Sequence, residues 1–407
     1  MKRFVLLLVL GILLSSSAVL AQDTIKIGFI YVLSGRGAVF GEVAKRGAEL
    51  AIEEINSAGG ISGKKLVGIF EDDQGKPEIA VELTKRFVQK DRVDAIIGVV
   101  TSGSAEAVAP LAAELKVPLI ITTATTPVVT GQKCNRYTFR VTCTTDQTLK
   151  AAALVAAQAK AKTWTTIGPD YLLGYETWDY FQRYLSKIRS GVTFLPKSEV
   201  IFAPMTTTDW GPHIKKIMNS GADGIVISLW GGNAVDFLKQ AAQEGLFNDQ
   251  RSVIMTVAGS MDVFVALGLG LPQGIWFGNP YWFQANTGPV NEAFVHRYQE
   301  RFQVEPSYSA ATAYTGVIAY CEALKRSGSP SPDAVVRALE GLQFDAPLGK
   351  VTIRPEDHQA LFNIVWGQTS QALRLKGGKV IRGWDPILSF GPDEVLPSPA
   401  EAGCKMR

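Results

Sequence analysis

Residues 93–127 alternate apolar and polar stretches in a telling order. Residues 93–100 form an apolar run between a charge and a Ser/Gly stretch, residues 106–115 have helical spacing, and residues 117–121 form a second apolar run. This order predicts one parallel β-α-β unit. In a right-handed unit the loops that follow the two strands leave the same carboxyl edge of the sheet. Thr101-Ser102-Gly103-Ser104 and Thr122-Thr123-Ala124-Thr125-Thr126 are therefore expected to face one crevice. The first also lies where backbone N–H groups at a helix start favour an anion. Ser and Thr serve as ordinary caps and turn residues as well. Two such loops at one edge favour a site.

The same alternation extends in both directions. Residues 24–33 and 65–70 read as strands, and between them Val43, Gly47, Ala48, Ala51, Ile52 and Ile55 fall at helical spacing. With a helix at 77–89, residues 24–126 read β-α-β-α-β-α-β, a doubly wound sheet. The pattern restarts with strands at 163–168, 194–202, 223–229 and 252–257 and helices at 174–188, 210–219 and 233–244. The fold class is therefore α/β with two doubly wound, Rossmann-like lobes. Beyond residue 273 come a strand at 275–282, helices at 289–301, 308–325 and 332–340, and short antiparallel strands at 351–353, 362–368 and 373–375. That helical block must pack on one of the lobes, so the chain crosses between them more than once.

Composition adds an export signal and removes several function classes. Lys2-Arg3, the apolar stretch 4–14 and the small residues ending in Val19-Leu20-Ala21 read as a signal peptide, residues 1–21, cleaved after Ala21. The apolar core is short for a bilayer span of about 20 residues, and no Cys near the cleavage site suggests lipid attachment. Loss of Lys2 and Arg3 lowers the formal charge from +3 to +1, with cations interleaved among acids, so nucleic acid is not an expected partner. Cys134, Cys143, Cys321 and Cys404 form no C-x-x-C pair, which argues against a metal site and allows one disulfide in an oxidising compartment. Cys321 lies in an apolar helix and reads as a buried thiol; the pairing of the other three is open. Glu71-Asp72-Asp73 reads as loop and helix-start charge rather than a metal site. His213, His296 and His358 are scattered, and Ser34-Gly35-Arg36-Gly37 lacks the glycine spacing of a dinucleotide fingerprint. No enzyme activity, cofactor or metal is expected.

Several ordered motifs resemble the branched-chain amino-acid type of periplasmic solute-binding protein. They are Ser34-Gly35 with Ala38 and Phe40-Gly41, Arg46-Gly47-Ala48-Glu49-Leu50-Ala51, Ile55-Asn56 with Ala58-Gly59-Gly60, Gly63-Lys64-Lys65-Leu66, and Asp72-Asp73 before Pro77. Ile97-Gly98, the Ser102 loop, Ala109-Pro110, Val117-Pro118-Leu119, Thr138-Phe139-Arg140 and Asp146-Gln147 continue the match. The resemblance implies a type I periplasmic binding fold, a monomer in the periplasm that serves the permease and ATPase subunits of an ABC importer. It implies three crossings, near 141–144, 276–279 and 349–352. Lobe 1 would then be 22–142 plus 276–350, lobe 2 143–275 plus 351–393, and residues 394–407 a tail.

Carried over by position, Ser102 matches the family serine that binds a ligand carboxylate, and Thr123, Ala124 and Thr125 match the second binding loop. Two positions depart from the pattern. Leu173 stands where the family commonly has tyrosine, with Tyr171 and Tyr175 beside it, and Trp230 stands where amino-acid binders often have tyrosine or another polar contact. Family amino-acid binders also supply an acid for the ligand ammonium near the loop that here reads Thr256-Val257-Ala258-Gly259-Ser260, and no acid precedes Asp262. Phe40, Tyr171, Tyr175, Trp230, Tyr281 and Trp282 are available to sandwich a flat body. The expected ligand is thus a small carboxylate, an aromatic or hydrophobic acid without an ammonium group. Asp146, Glu176 or Asp262 would alter this by reaching the cleft. The alternatives are a branched-chain or other amino acid, or a ligand-sensing module that reports to a receptor.

Overall fold

The computed structural model describes residues 24–406; the leader and its cleavage site lie outside the described residues. In chain order the first lobe contains β1 (Ile25–Tyr31), α1 (Ala38–Ser57), β2 (Leu66–Asp72), α2 (Pro77–Arg86), β3 (Ala95–Gly98), α3 (Ser102–Glu114), β4 (Leu119–Ile121) and β5 (Thr138–Arg140). The strands form one parallel sheet in the order β2-β1-β3-β4-β5. Sheet order reverses between β1 and β3, so a crevice opens at their carboxyl ends.

The second lobe follows with α4 (Thr145–Ala157), β6 (Thr163–Pro169), α5 (Leu172–Ile188), β7 (Thr193–Phe194), β8 (Ile201–Ala203), α6 (Gly211–Met218), β9 (Gly224–Ile227), α7 (Gly231–Gln243), β10 (Ser252–Met255), α8 (Met261–Leu267) and β11 (Trp276–Asn279). The strand expected over 194–202 is two short strands, β7 and β8, which pair with different parts of β6. Pro196 has no N–H to give the ladder, and a turn in which Glu199 N–H donates to the Pro196 carbonyl separates them.

The chain then returns to the first lobe as α9 (Pro289–Phe302), α10 (Tyr308–Ser327), α11 (Pro332–Leu339), β12 (Gln343–Ala346), β13 (Gly349–Ile353) and β14 (Ala360–Leu361). Helix α10 packs on α1, where a Cβ at Gly47 would stand 2.1 Å from the Ala310 carbonyl oxygen. Only glycine permits that approach. Strands β12, β13 and β14 form their own antiparallel sheet, and Arg140 N–H donates to the His358 carbonyl at 3.0 Å, which ties this segment to the edge of the first sheet. The boundary expected at 350 falls inside β13, which pairs with β12 on one side and β14 on the other. Chain direction instead changes lobes between β14 and the next strand.

That strand, β15 (Ile364–Arg374), replaces the two short strands expected at 362–368 and 373–375, and it pairs with β16 (Val380–Phe390), which the sequence pattern did not suggest. β15 joins the second sheet antiparallel to β11, and β16 lies outside it, antiparallel to β15. The last residues run back across the molecule: α12 (Pro392–Val395) touches α4, and α13 (Pro399–Ala402) touches residues 127–130. Cys134 and Cys404 form a disulfide that fastens this tail, while Cys143 and Cys321 are buried free thiols. Among the described residues no helix is long and apolar enough to cross a membrane.

The disulfide closes a loop of 270 residues in sequence, so its loss releases chain entropy in the unfolded state. Cys404→Ser is expected to lower unfolding free energy by about 2–4 kcal/mol, read by denaturant titration, with no change in far-ultraviolet dichroism. An unchanged midpoint would show that the tail contributes nothing to stability.

Candidate functional site

Loops that follow the carboxyl ends of strands in both lobes meet at one chamber. After β1 comes Phe40, after β3 Ser102, after β4 Thr123 and Thr125, after β6 Tyr171 and Leu173, after β9 Trp230, and after β10 Val257. With Val100 and Tyr308 these residues line a mouth half of about 40 Å³. A hinge half of about 20 Å³ adds Thr142, Cys143, Thr145, Thr148, Thr177, Thr256 and Asn279, and shares Thr125, Leu173, Val257 and Tyr308 with the first. Outside lies a vestibule of about 600 Å³ that Tyr171 and Trp230 also line.

Ser102 owes its place to a cap. Thr101 is the N-cap of α3, its hydroxyl accepting the Ser104 N–H at 3.3 Å, and Ser104 Oγ donates at 2.8 Å to the buried Asp73. What was expected as a loop is thus the helix's first turn, in which the N–H groups of Ser102 and Gly103 have no helical acceptor. Asp72 and Asp73 are committed to turn N–H groups at 2.8–2.9 Å, from Leu33, Gln74 and Gly75. No cluster of His, Cys, Asp and Glu among the described residues is arranged to hold a metal ion.

The second loop divides by residue. Thr123 Oγ1 is buried without a partner, and Thr125 Oγ1 accepts from Thr145 Oγ1 at 3.0 Å. Ala124 does not reach the chamber: its N–H donates to the Val99 carbonyl at 3.0 Å and its methyl group lies in the first lobe's core. Ala258 likewise turns into the second lobe's core, and its neighbour Val257 lines the chamber instead.

Rings from both lobes close over the mouth. Phe40 meets Trp230 edge-on at 5.2 Å and Tyr308 at 5.7 Å, while Trp230 Nε1 donates to Tyr171 Oη at 2.8 Å. The other aromatics of the expected set lie elsewhere: Tyr175 pairs with Asp170 near the surface, Tyr281 donates to Asn291 in the core, and Trp282 stacks on Trp384 at 4.2 Å. Sequence reasoning missed Tyr308, Thr142 and Asn279. Tyr308 follows the N-cap Ser307 as the first residue of α10, where the helical pattern alone does not mark it as a chamber residue.

No Asp, Glu, Lys, Arg or His lines either half among the described residues. Asp262 is half-buried near Arg46, with desolvation raising it to about 6, and Glu176 stands behind Thr126 with Asp146 nearby. His358 is stacked on Phe139 at 3.9 Å, where burial pushes it down to about 4 and keeps it neutral.

The lobes also touch at the vestibule. Arg36 donates to Asn233 at 2.5 Å and pairs with Asp236. Gly231 permits this approach: its φ is +56°, and a Cβ there would lie 2.8 Å from the Arg36 carbonyl oxygen.

Residues 24–374 match the family described as periplasmic binding protein. A leucine-, isoleucine-, valine-, threonine- and alanine-binding protein of Pseudomonas aeruginosa is 24% identical over 334 residues, covering 82% of this chain and 86% of the relative. A solute-binding protein of an ABC transporter from Rhodopseudomonas palustris, solved in complex with 4-hydroxybenzoate, is 26% identical with a TM-score of 0.80, covering 92% of this chain and 99% of that one. An ABC-type branched-chain amino acid transporter protein from the same species is also 26% identical, with a TM-score of 0.73 over 92% and 98% of the two chains.

Gly231→Ala is expected to push the lobes apart, because the left-handed backbone costs roughly 1–2 kcal/mol for an L residue and the new methyl meets backbone that cannot yield. Small-angle scattering should show a larger radius of gyration. Gly232→Ala is the control, since its Cβ meets only the guanidinium end of Arg36 at 3.3 Å. Equal radii for the two variants would refute the role given to Gly231.

Proposed function

The chain belongs to the periplasmic binding protein family, and from that premise we propose that it captures a small aromatic or hydrophobic carboxylate that bears no ammonium group and delivers it to the permease and ATPase subunits of an ABC importer. The observation that carries this reading is the uncharged lining of the chamber. A carboxylate is a good guest there. The first-turn N–H groups of α3, the hydroxyl of Ser102 and the unpartnered hydroxyl of Thr123 supply donors in place of water, each charge-assisted bond contributing about 1.5–3 kcal/mol. Its apolar body then lies among Phe40, Tyr171, Trp230 and Tyr308.

An ammonium is a poor guest. The 256–260 loop, where an acid would be expected in an amino-acid binder, presents Val257, and an unpaired buried cation costs several kcal/mol. At the hinge half, the buried Thr142 hydroxyl has no partner and would suit a ring hydroxyl. The Rhodopseudomonas palustris protein bound to 4-hydroxybenzoate is consistent with this class. Branched-chain amino acids are the second reading, favoured by the Pseudomonas aeruginosa relative. Capture works by hinge bending about the crossings, as both lobes touch one ligand, in a monomer in the periplasm.

A thermal-shift screen of benzoate, 4-hydroxybenzoate, a branched oxo acid, leucine and valine tests the ligand class, since a ligand that binds only the folded protein raises its melting temperature. Shifts from the acids are expected. Shifts from leucine and valine alone would refute the reading. Ser102→Ala should weaken the best acid by about tenfold or more in calorimetry, and wild-type affinity would remove Ser102 from the site.

A further inference from the structure

Behind the chamber one hydroxyl stands between two carboxyl groups from different lobes. Thr126 Oγ1 is 3.2 Å from Glu106 Oε1 on α3 and 3.2 Å from Glu176 Oε1 on α5. A hydroxyl has a single proton to donate. It satisfies one carboxylate, and the other contact is attractive only if that carboxyl carries a proton of its own and donates it to the Thr126 oxygen.

The surroundings decide which carboxyl that is. Glu106 is paired with Lys133 Nζ at 2.9 Å. Glu176 has no such partner: its second oxygen, Oε2, is buried without a hydrogen bond. The cation that favours its charged form, Arg140, directs its side-chain donors to the Thr126 carbonyl, Thr130 Oγ1 and Gln359 Oε1. The remaining groups around Glu176 are Asp146 from α4, Glu106 from α3, and Tyr171 and Tyr180 beside it, of which the two acids repel a negative charge. Asp146 accepts from Thr144 Oγ1 and the Gln147 N–H, which oppose the upward push of burial on its own carboxyl.

We propose that closure of the two lobes on a ligand takes up one proton at Glu176, so that ligand capture is linked to pH. When the lobes part, α5 carries Glu176 away from Thr126 and Glu106 and into water. In contact, burial, then Glu106 and Asp146, raise its carboxyl from the ordinary 4.5 to about 7. The closed form therefore has the higher affinity for the proton. Affinity for ligand is greatest below the open-form value, falls as pH rises between the two values by up to about tenfold per unit, and levels off above about 7. A carboxylate ligand is already ionised over most of that window, so its own titration does not mimic the effect. The inference requires only that some ligand closes the lobes.

The test is calorimetric titration of the full mature chain with benzoate at about pH 6 in two buffers of different ionisation heat, which counts protons. Uptake close to one proton per ligand is expected, with affinity about tenfold or more weaker at about pH 7.5 than at about pH 5.5. Glu176→Gln mimics the protonated side chain and keeps a donor for Thr126. It should bind with the low-pH affinity throughout, with no proton uptake. If benzoate gives no heat, the same titrations are run with leucine, so that a wrong ligand class and a wrong proton site are read separately. Uptake near zero in the wild type, or a pH slope that survives in Glu176→Gln, would overturn the proposal.

Discussion

A guanidinium sealed from water holds together the part of the molecule where binding and closure meet. Arg140, at the end of β5, is fully buried, and its partners are a carbonyl, a hydroxyl and an amide oxygen rather than a carboxylate. Burial pulls it down to about 10, and Asp146, then Asp357 and Glu176 at longer range, favour its charged form. Breaking a buried charge from its partners is strongly destabilising, so the loop that Arg140 grips is held rigidly. That loop carries Thr125 into the chamber and Thr126 to the interlobe carboxyls. Gln359, also bonded to Arg140, anchors the segment that enters the last crossing.

Because the charges stay behind this loop, the chamber itself is neutral. On the proposed reading, an anion inside it would be held by oriented N–H and hydroxyl dipoles, which are stronger in a low-dielectric interior than in water and need no reorganisation when the ligand arrives. Those dipoles exist because Thr101 caps α3 and Ser104 is fixed on Asp73, so a short polar sequence becomes a helix first turn with N–H groups free to take an anion. Selectivity follows from what the second lobe contributes: rings and Val257, with nothing to balance a cation.

Much of this was legible in the sequence. Parallel strands buried on both faces give continuous apolar runs, and the helices between them give a different period, so the two α/β lobes and the carboxyl-edge position of Ser102, Thr123 and Thr125 follow from pattern alone. The antiparallel additions were harder. Strand β16 contains Arg382, Asp385 and Pro386, which interrupt its alternation, and β13 has the same apolar spacing whichever sheet it joins. Aromatic residues were the least legible: Phe40 and Tyr281 both follow apolar strands, yet one lines the chamber and the other is bonded to Asn291 in the core. Resemblance located the loops of Ala124 and Ala258 but not the direction of their side chains, which backbone bonds and core packing set. Glu176 was legible only as an acid that could reach the cleft; its contact with Thr126, and through it with Glu106, comes from the other lobe and leaves no trace in the local pattern.

On the proposed reading, a neutral chamber rejects an ammonium while accepting the carboxylate beside it. Phenylacetate and phenylglycine share ring and carboxylate and differ in that ammonium alone, so their dissociation constants, measured by calorimetry on the same preparation, isolate the claim. The account predicts phenylacetate to bind at least about a hundredfold more tightly, the consequence of a buried cation without a partner. Equal affinities, or tighter binding of phenylglycine, would contradict it.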